Sequence, residues 1–173
     1  MTIKMPRGMR PENVASKEAS RYSIDNPWFH KESGTIRATD GRMAISIPVE
    51  HGDDDESGQI PGKALKVFAK ESKRLSYVSM AGHNGTISCL GMTLPREELG
   101  PVPDFDNITP KKDSDAVTVT LNAAMLARLA KGLGTDVVTL QLGETGTPIL
   151  VSPAGDCIPC PEAIGIIMPL VTT

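Results

Sequence analysis

Apolar and polar positions along this chain change period several times, and each change marks an element. Short alternating runs over Tyr22 to Ile24, Thr35 to Ala38 and Met43 to Ile47 predict three strands, separated by Asn26-Pro27 and Ser33-Gly34. Asp40-Gly41 predicts a tight hairpin turn between the second and third. From about Gly62 to Leu75 the period becomes helical. Leu65, Phe68, Ala69 and Leu75 fall on one side, and Lys63, Lys66, Lys70, Lys73 and Arg74 on the other. Three more strands are predicted over 75–80, 85–90 and 92–94, with Asn84-Gly85 as the turn between the first two. Residues 100–110 are proline-rich and read as an extended connector. The order then repeats. A strand is predicted over 116–121, followed by a helix from the N-cap Asn122 to Leu133. That helix places Leu126, Leu129, Ala130 and Leu133 opposite Arg128 and Lys131. Strands over 137–142, 148–152 and 163–170 complete the pattern.

These elements predict an α+β fold in which β-α-β-β-β occurs twice, from about 59 to 110 and from about 111 to 171, as antiparallel sheets with two helices on one face. A strand-only partial copy precedes them from about 22 to 50. In domain terms, 1–21 is expected to be a flexible N-terminal arm, because its residues hold no stable period. Residues 22–110 then carry a partial unit plus one full unit, and 111–173 a second full unit.

Composition narrows the picture. A chain of 173 residues with 39% hydrophobic positions buries a real core, and 3% aromatics make that core aliphatic. No apolar run reaches the roughly 18–20 residues of a membrane span. The basic start lacks the apolar stretch of a signal peptide, so a cytoplasmic protein is expected. A net charge of −3 argues against coating DNA over the whole surface, but leaves room for one basic face.

The three cysteines, an odd number, are expected to be free thiols. Cys157 and Cys160 form a Cys-x-x-Cys, yet in a proline-bearing loop between strands rather than at a helix N-terminus. Only Cys89, His30, His51 and His83 remain to complete a zinc site. The run Asp53 to Glu56 lacks the alternating ligands of a calcium loop and is expected to be solvated. No nucleophile–base set, phosphate loop or paired carboxylates stand out. The expectation is a binding protein, not an enzyme, with no cofactor and no metal.

Five segments carry a resemblance. Ala38-Thr39-Asp40-Gly41, Ile60 to Leu65, Val102 to Phe105 continuing through Ile108 to Pro110, Thr147 to Val151, and Ile166 to Leu170 occur in this order. Together they resemble segments of bacterial sliding clamps, the DNA polymerase III beta-subunit family, over roughly residues 22–171. The chain departs from the family pattern in having fewer units, one residue fewer after Gly41 and no arginine after Leu170.

The resemblance implies DNA-clamp-like repeats and a hydrophobic pocket for short linear peptides. Carried over, that pocket comprises Ile24, Thr39, Gly41, Met43, Pro103, Ile108, Pro148, Ile166, Met168, Pro169 and Leu170. It also implies that Lys63, Lys66, Lys70, Lys73, Arg74, Arg128 and Lys131 meet duplex DNA phosphates without reading bases. The implied partners are a DNA polymerase or other proteins bearing a clamp-binding motif, duplex DNA, and further copies of the chain in a homo-oligomer; a membrane is not among them. The implied function is that of a sliding-clamp-like processivity accessory in DNA replication. The alternative is a non-ring interaction module or clamp regulator of the same fold that does not bind DNA.

Overall fold

Two compact units, Met1–Ile108 and Thr109–Thr173, make up the chain. The computed structural model describes residues 2–18, 22–72, 74–96, 100–108, 117–144, 146–154 and 162–170. Both units are α+β, and every strand pairing among the described residues is antiparallel.

The first unit holds two four-stranded sheets. Strands β2 (Trp28–His30), β3 (Thr35–Thr39), β4 (Ala44–Pro48) and β5 (Gly58–Gln59) assemble in the order β4-β3-β2-β5. Strands β1 (Ile3–Pro6), β6 (Tyr77–His83), β7 (Thr86–Cys89) and β8 (Met92–Pro95) assemble as β1-β6-β7-β8. Helix α1 (Gly62–Glu71) connects β5 to β6. Its buried Ala64, Leu65, Phe68 and Ala69 join inward residues of both sheets in one core, which includes Phe29, Ile36 and Ile47 on one side and Ile3, Met5, Val78, Met80 and Ile87 on the other. At the β6–β7 turn, Asn84 and Gly85 both take positive φ, +50° and +66°, as a two-residue turn of this hand requires.

The segment expected to be a loose arm contains β1, with Ile3 opposite Met80 and Met5 opposite Val78 in the sheet. Two apolar positions are too few to reveal a strand by alternation, yet both side chains are fully buried. The strand expected at Tyr22 to Ile24 lies instead at Trp28–His30, where two large aromatic side chains reach the interior. Helix α1 stops at Glu71 with Ser72 as its C-cap, so Leu75 is off the apolar stripe and 46% exposed. The strand that precedes the helix, β5, pairs with β2 and not with the three strands that follow α1. The connector over 100–110 contains a short helix, α2 (Phe105–Ile108), and Phe105 is buried. In the acidic run expected to be solvated, Asp55 is only 2% exposed. Its carboxylate accepts the Gly52 N–H at 2.8 Å and the Gly82 N–H at 3.4 Å.

The second unit holds a three-stranded sheet of β9 (Val138–Gln141), β10 (Ile149–Pro153) and β11 (Gly165–Ile167), ordered β11-β10-β9, with helix α3 (Ala123–Gly132). Asn122 caps α3, its side-chain oxygen accepting the N–H groups of Ala124 and Met125 at 3.0 and 3.2 Å. Leu126, Leu129 and Leu133 pack on Ile149, Val151 and Ile167. Gly165 permits this close approach, since a Cβ there would sit 2.7 Å from Leu129 Cδ1. Residues 117–121, expected as part of a strand, join no ladder among the described residues. A backbone bond from the Leu170 N–H to the Thr120 carbonyl, at 2.8 Å, ties them to the chain beyond β11.

Cys89 is a free, buried thiol, and burial pushes its pKa up. Cys157 and Cys160 lie outside the described residues. No helix among the described residues is long and apolar enough to cross a membrane.

Candidate binding groove

Two short polar side chains organise the hairpin loop between β3 and β4. Asp40 Oδ1 accepts the N–H groups of Arg42 and Met43 at 2.8 and 2.9 Å. The Thr39 hydroxyl donates to the Met43 carbonyl at 2.6 Å and accepts the Gly41 N–H at 3.0 Å. Gly41 takes a φ of +88°, a conformation glycine adopts without strain. Thr39 and Asp40 thus fold the loop on itself and leave Arg42 and Met43 exposed.

A second set of contacts fixes the neighbouring surface. The Ser16 N–H donates to the Ile24 carbonyl at 2.8 Å, and the Ser23 N–H to the Pro101 carbonyl at 2.7 Å. Beneath them, Ile24, Trp28 and Phe105 form a small buried cluster, with Tyr22 and Val102 packed against it. The Trp28 and Phe105 rings meet edge to face, 5.5 Å apart at 88°. The Arg37 guanidinium lies 5.2 Å from the Phe105 ring centroid, a cation–π distance. Asp104 accepts the Asn107 N–H at 3.2 Å at the start of α2, which places Ile108 at the helix end, 55% exposed.

These segments border a concavity of about 420 Å³, lined by apolar Tyr22, Ile24, Pro103 and Ile108 and by polar or small Ser16, Glu18, Thr39, Asp40 and Gly41. Ser16, Glu18 and Asp40 also line an adjoining concavity of about 350 Å³ that contains Lys17, Arg42 and Met43. The result is one groove with an apolar half and a charged half. It suits an extended peptide with an apolar anchor and polar flanks. Among the described residues no group of three or more His, Cys, Asp or Glu is arranged to hold a metal.

Of the residues carried over as a pocket, Ile24, Thr39, Gly41, Pro103 and Ile108 line the apolar half, and Met43 lies in the charged half. Ser16 and Glu18 also line it without any sequence signal to mark them, because they lie within the stretch without periodicity, and Tyr22 lines it from the start of the run read as a strand. The other five predicted pocket residues belong to the second unit. There Ile166, Met168 and Leu170 alternate along the last strand and beyond it, 64%, 59% and 51% exposed, with Pro148 also exposed and Pro169 half-buried. Ile166 also lines a concavity with Met125, Arg128, Leu129 and Ile167. Of the basic residues, Lys63, Lys66 and Lys70 stand on α1, Arg74 is exposed beyond its end, and Arg128 and Lys131 are exposed on α3. Lys73 lies outside the described residues.

The Asp40 bonds make a pH prediction. Hydrogen bonds from the Met43 and Arg42 N–H groups hold the Asp40 pKa below its ordinary value. A carboxylate with a depressed pKa adds order that is complete above the unfolded value, about 3.9, and is lost as pH falls through the lower folded value. The Arg42 and Met43 amide proton shifts should therefore stay constant down to about pH 4 and move together below it. Asp40→Asn, which keeps an acceptor oxygen, should remove the transition, and Asp40→Ala should release both amides at every pH. A midpoint at or above the unfolded value would contradict this account of the loop.

No protein-family model matches the chain, and neither curated proteins nor solved structures give a match.

Proposed function

We propose that this chain is a sliding-clamp-like accessory protein of DNA replication, which captures partner peptides in the groove of its first unit and meets duplex DNA through basic helices. One observation carries the reading. Ile24, Thr39, Gly41, Pro103 and Ile108, distant in sequence and chosen through the family resemblance alone, line a single concavity. The order of elements also supports it, since a helix followed by three antiparallel strands occurs twice, as α1-β6-β7-β8 and as α3-β9-β10-β11. The repeats are read as clamp-like units, and further copies of the chain would complete a ring.

The physical basis is that of peptide docking in a groove. An apolar anchor entering between Tyr22, Pro103 and Ile108 gains about 25 cal/mol for each Å² of apolar surface it removes from water. The exposed Met43 adapts to varied side chains beside it. A labelled peptide bearing a clamp-binding motif should bind the native protein with micromolar affinity. Ile108→Asp should weaken it at least tenfold, about 1.4 kcal/mol, by placing a charge where the anchor sits. Met168→Asp tests whether the second unit contributes. Native protein that ignores such peptides at high micromolar concentration would sink the reading.

A further inference from the structure

Segments far apart in sequence gather cations at a second place on the first unit. Arg7 and Arg10 follow β1, while Lys66 and Lys70 stand one turn apart on α1. With Ala69 and Glu12, they line a concavity of about 310 Å³. The strand pairing of β1 with β6 brings the two arginines there, and the Arg7 N–H bond to the Ser76 carbonyl at 3.0 Å holds the segment as it leaves the sheet. Glu12 is the one acidic residue in the lining. Its side chain is only 4% exposed, with Oε1 4.0 Å from Arg10 Nε. Four cations therefore meet one buried carboxylate, a formal excess of three positive charges around the concavity.

In a protein of net charge −3, this local excess of positive charge, only partly offset by Glu12 beside Arg10, attracts a further anion. Two features favour a chain of phosphates over a single small ion. The basic face continues past the concavity to Lys63 on α1, with Arg74 beyond the helix end. Residues 63 to 70 also span about 10 Å of helix axis, a length over which one DNA strand rises about three steps of 3.4 Å. Arginine supplies what the lysines lack, a planar fork that grips a phosphate with two hydrogen bonds.

We propose that Arg7 and Arg10 join Lys66 and Lys70 in a cradle for the phosphodiester backbone of duplex DNA. The cradle rests on the DNA-contact part of the proposed function and extends it from the helix to the β1 segment. It is a two-sided site that reads no bases.

The test is fluorescence anisotropy of a labelled 20-base-pair duplex with the full chain, between about 50 and 200 mM salt. Arg7→Ala/Arg10→Ala and Lys66→Ala/Lys70→Ala should each weaken binding at least tenfold. Each should also lower the slope of log affinity against log salt by about 2, roughly 0.9 for each phosphate that is no longer neutralised. Arg7→Lys/Arg10→Lys should retain most of the slope, which separates removal of charge from failure to fold. Lys31→Ala, which removes a cation bonded to the Asp53 carbonyl, should change neither affinity nor slope. If the lysine pair matters and the arginine pair leaves affinity and slope unchanged, the cradle is wrong while helix-borne DNA contact stands. If native protein does not bind the duplex at low salt, DNA contact itself fails. Displacement of the duplex by tripolyphosphate at equal phosphate concentration would overturn the assignment to a nucleic-acid backbone.

Discussion

Replacing Met5 with Asp is expected to unfold the first unit. Met5 is 1% exposed and lies among Val78, Met80, Phe68 and other residues of the main core. A carboxylate there has no cation within the apolar cluster, so the protein must either strand a buried charge or expel β1 from the sheet. Either route costs more than about 4 kcal/mol, a large fraction of what a domain of this size holds in reserve. Met5→Ala is the graded control, expected to cost about 2–5 kcal/mol through reduced burial and the cavity left behind. Urea denaturation followed by the fluorescence of Trp28 measures both, since that ring is buried in the same unit. A stable native-like spectrum for Met5→Asp would mean that residues 3–6 are the dispensable arm their sequence suggests.

Gly82→Ala is expected to cost about 2–4 kcal/mol, although it adds one methyl group to an ordinary strand position. The reason is Arg96. Its guanidinium crosses both Gly58 and Gly82, donating from Nε to the Gln59 carbonyl at 3.0 Å and from Nη2 to the Glu56 carbonyl at 2.7 Å. Burial lowers the Arg96 pKa, and the neighbouring Glu56 and Asp55 charges oppose that shift. A Cβ on Gly82 would collide with Nη1, and one on Gly58 would stand 2.7 Å from Nε. The guanidinium must then leave its carbonyl partners, and buried Asp55 loses its nearby cation. A double-mutant cycle separates this from general strand damage. In an Arg96→Ala background, Gly82→Ala should cost at least about 1 kcal/mol less than in the native chain. Strict additivity would show that the glycine matters for some other reason.

Structure is legible in the sequence wherever a few neighbouring residues decide it. The helical spacing of Leu65, Phe68 and Ala69 locates α1, and Asn122 marks the start of α3 by the capping bonds it makes. Asn84-Gly85 and Asp40-Gly41 both form turns, because positive φ and side-chain-to-backbone bonding are properties of those residue pairs. What is not legible depends on partners distant in sequence. Ile3 and Met5 become a strand only because Val78 and Met80 offer an edge, and no local pattern announces that pairing. Phe105 sits in what reads as an extended connector, and its burial depends on Trp28 and Arg37. The same limit applies to the groove. Thr39 and Gly41 belong to a visible motif, whereas Ser16 and Glu18 enter the groove through one backbone bond from Ser16 to Ile24. Arg7 and Arg10 are hidden for the same reason as β1, which carries them to the helix.

The groove is most directly tested by titrating isotope-labelled native protein with an unlabelled clamp-binding peptide and following backbone amide shifts. The predicted result is saturable movement centred on Tyr22, Ile24, Gly41, Arg42 and Ile108, reduced at least tenfold in affinity by Ile108→Asp. Shifts confined to residues away from this groove, or none at high micromolar peptide, would contradict it.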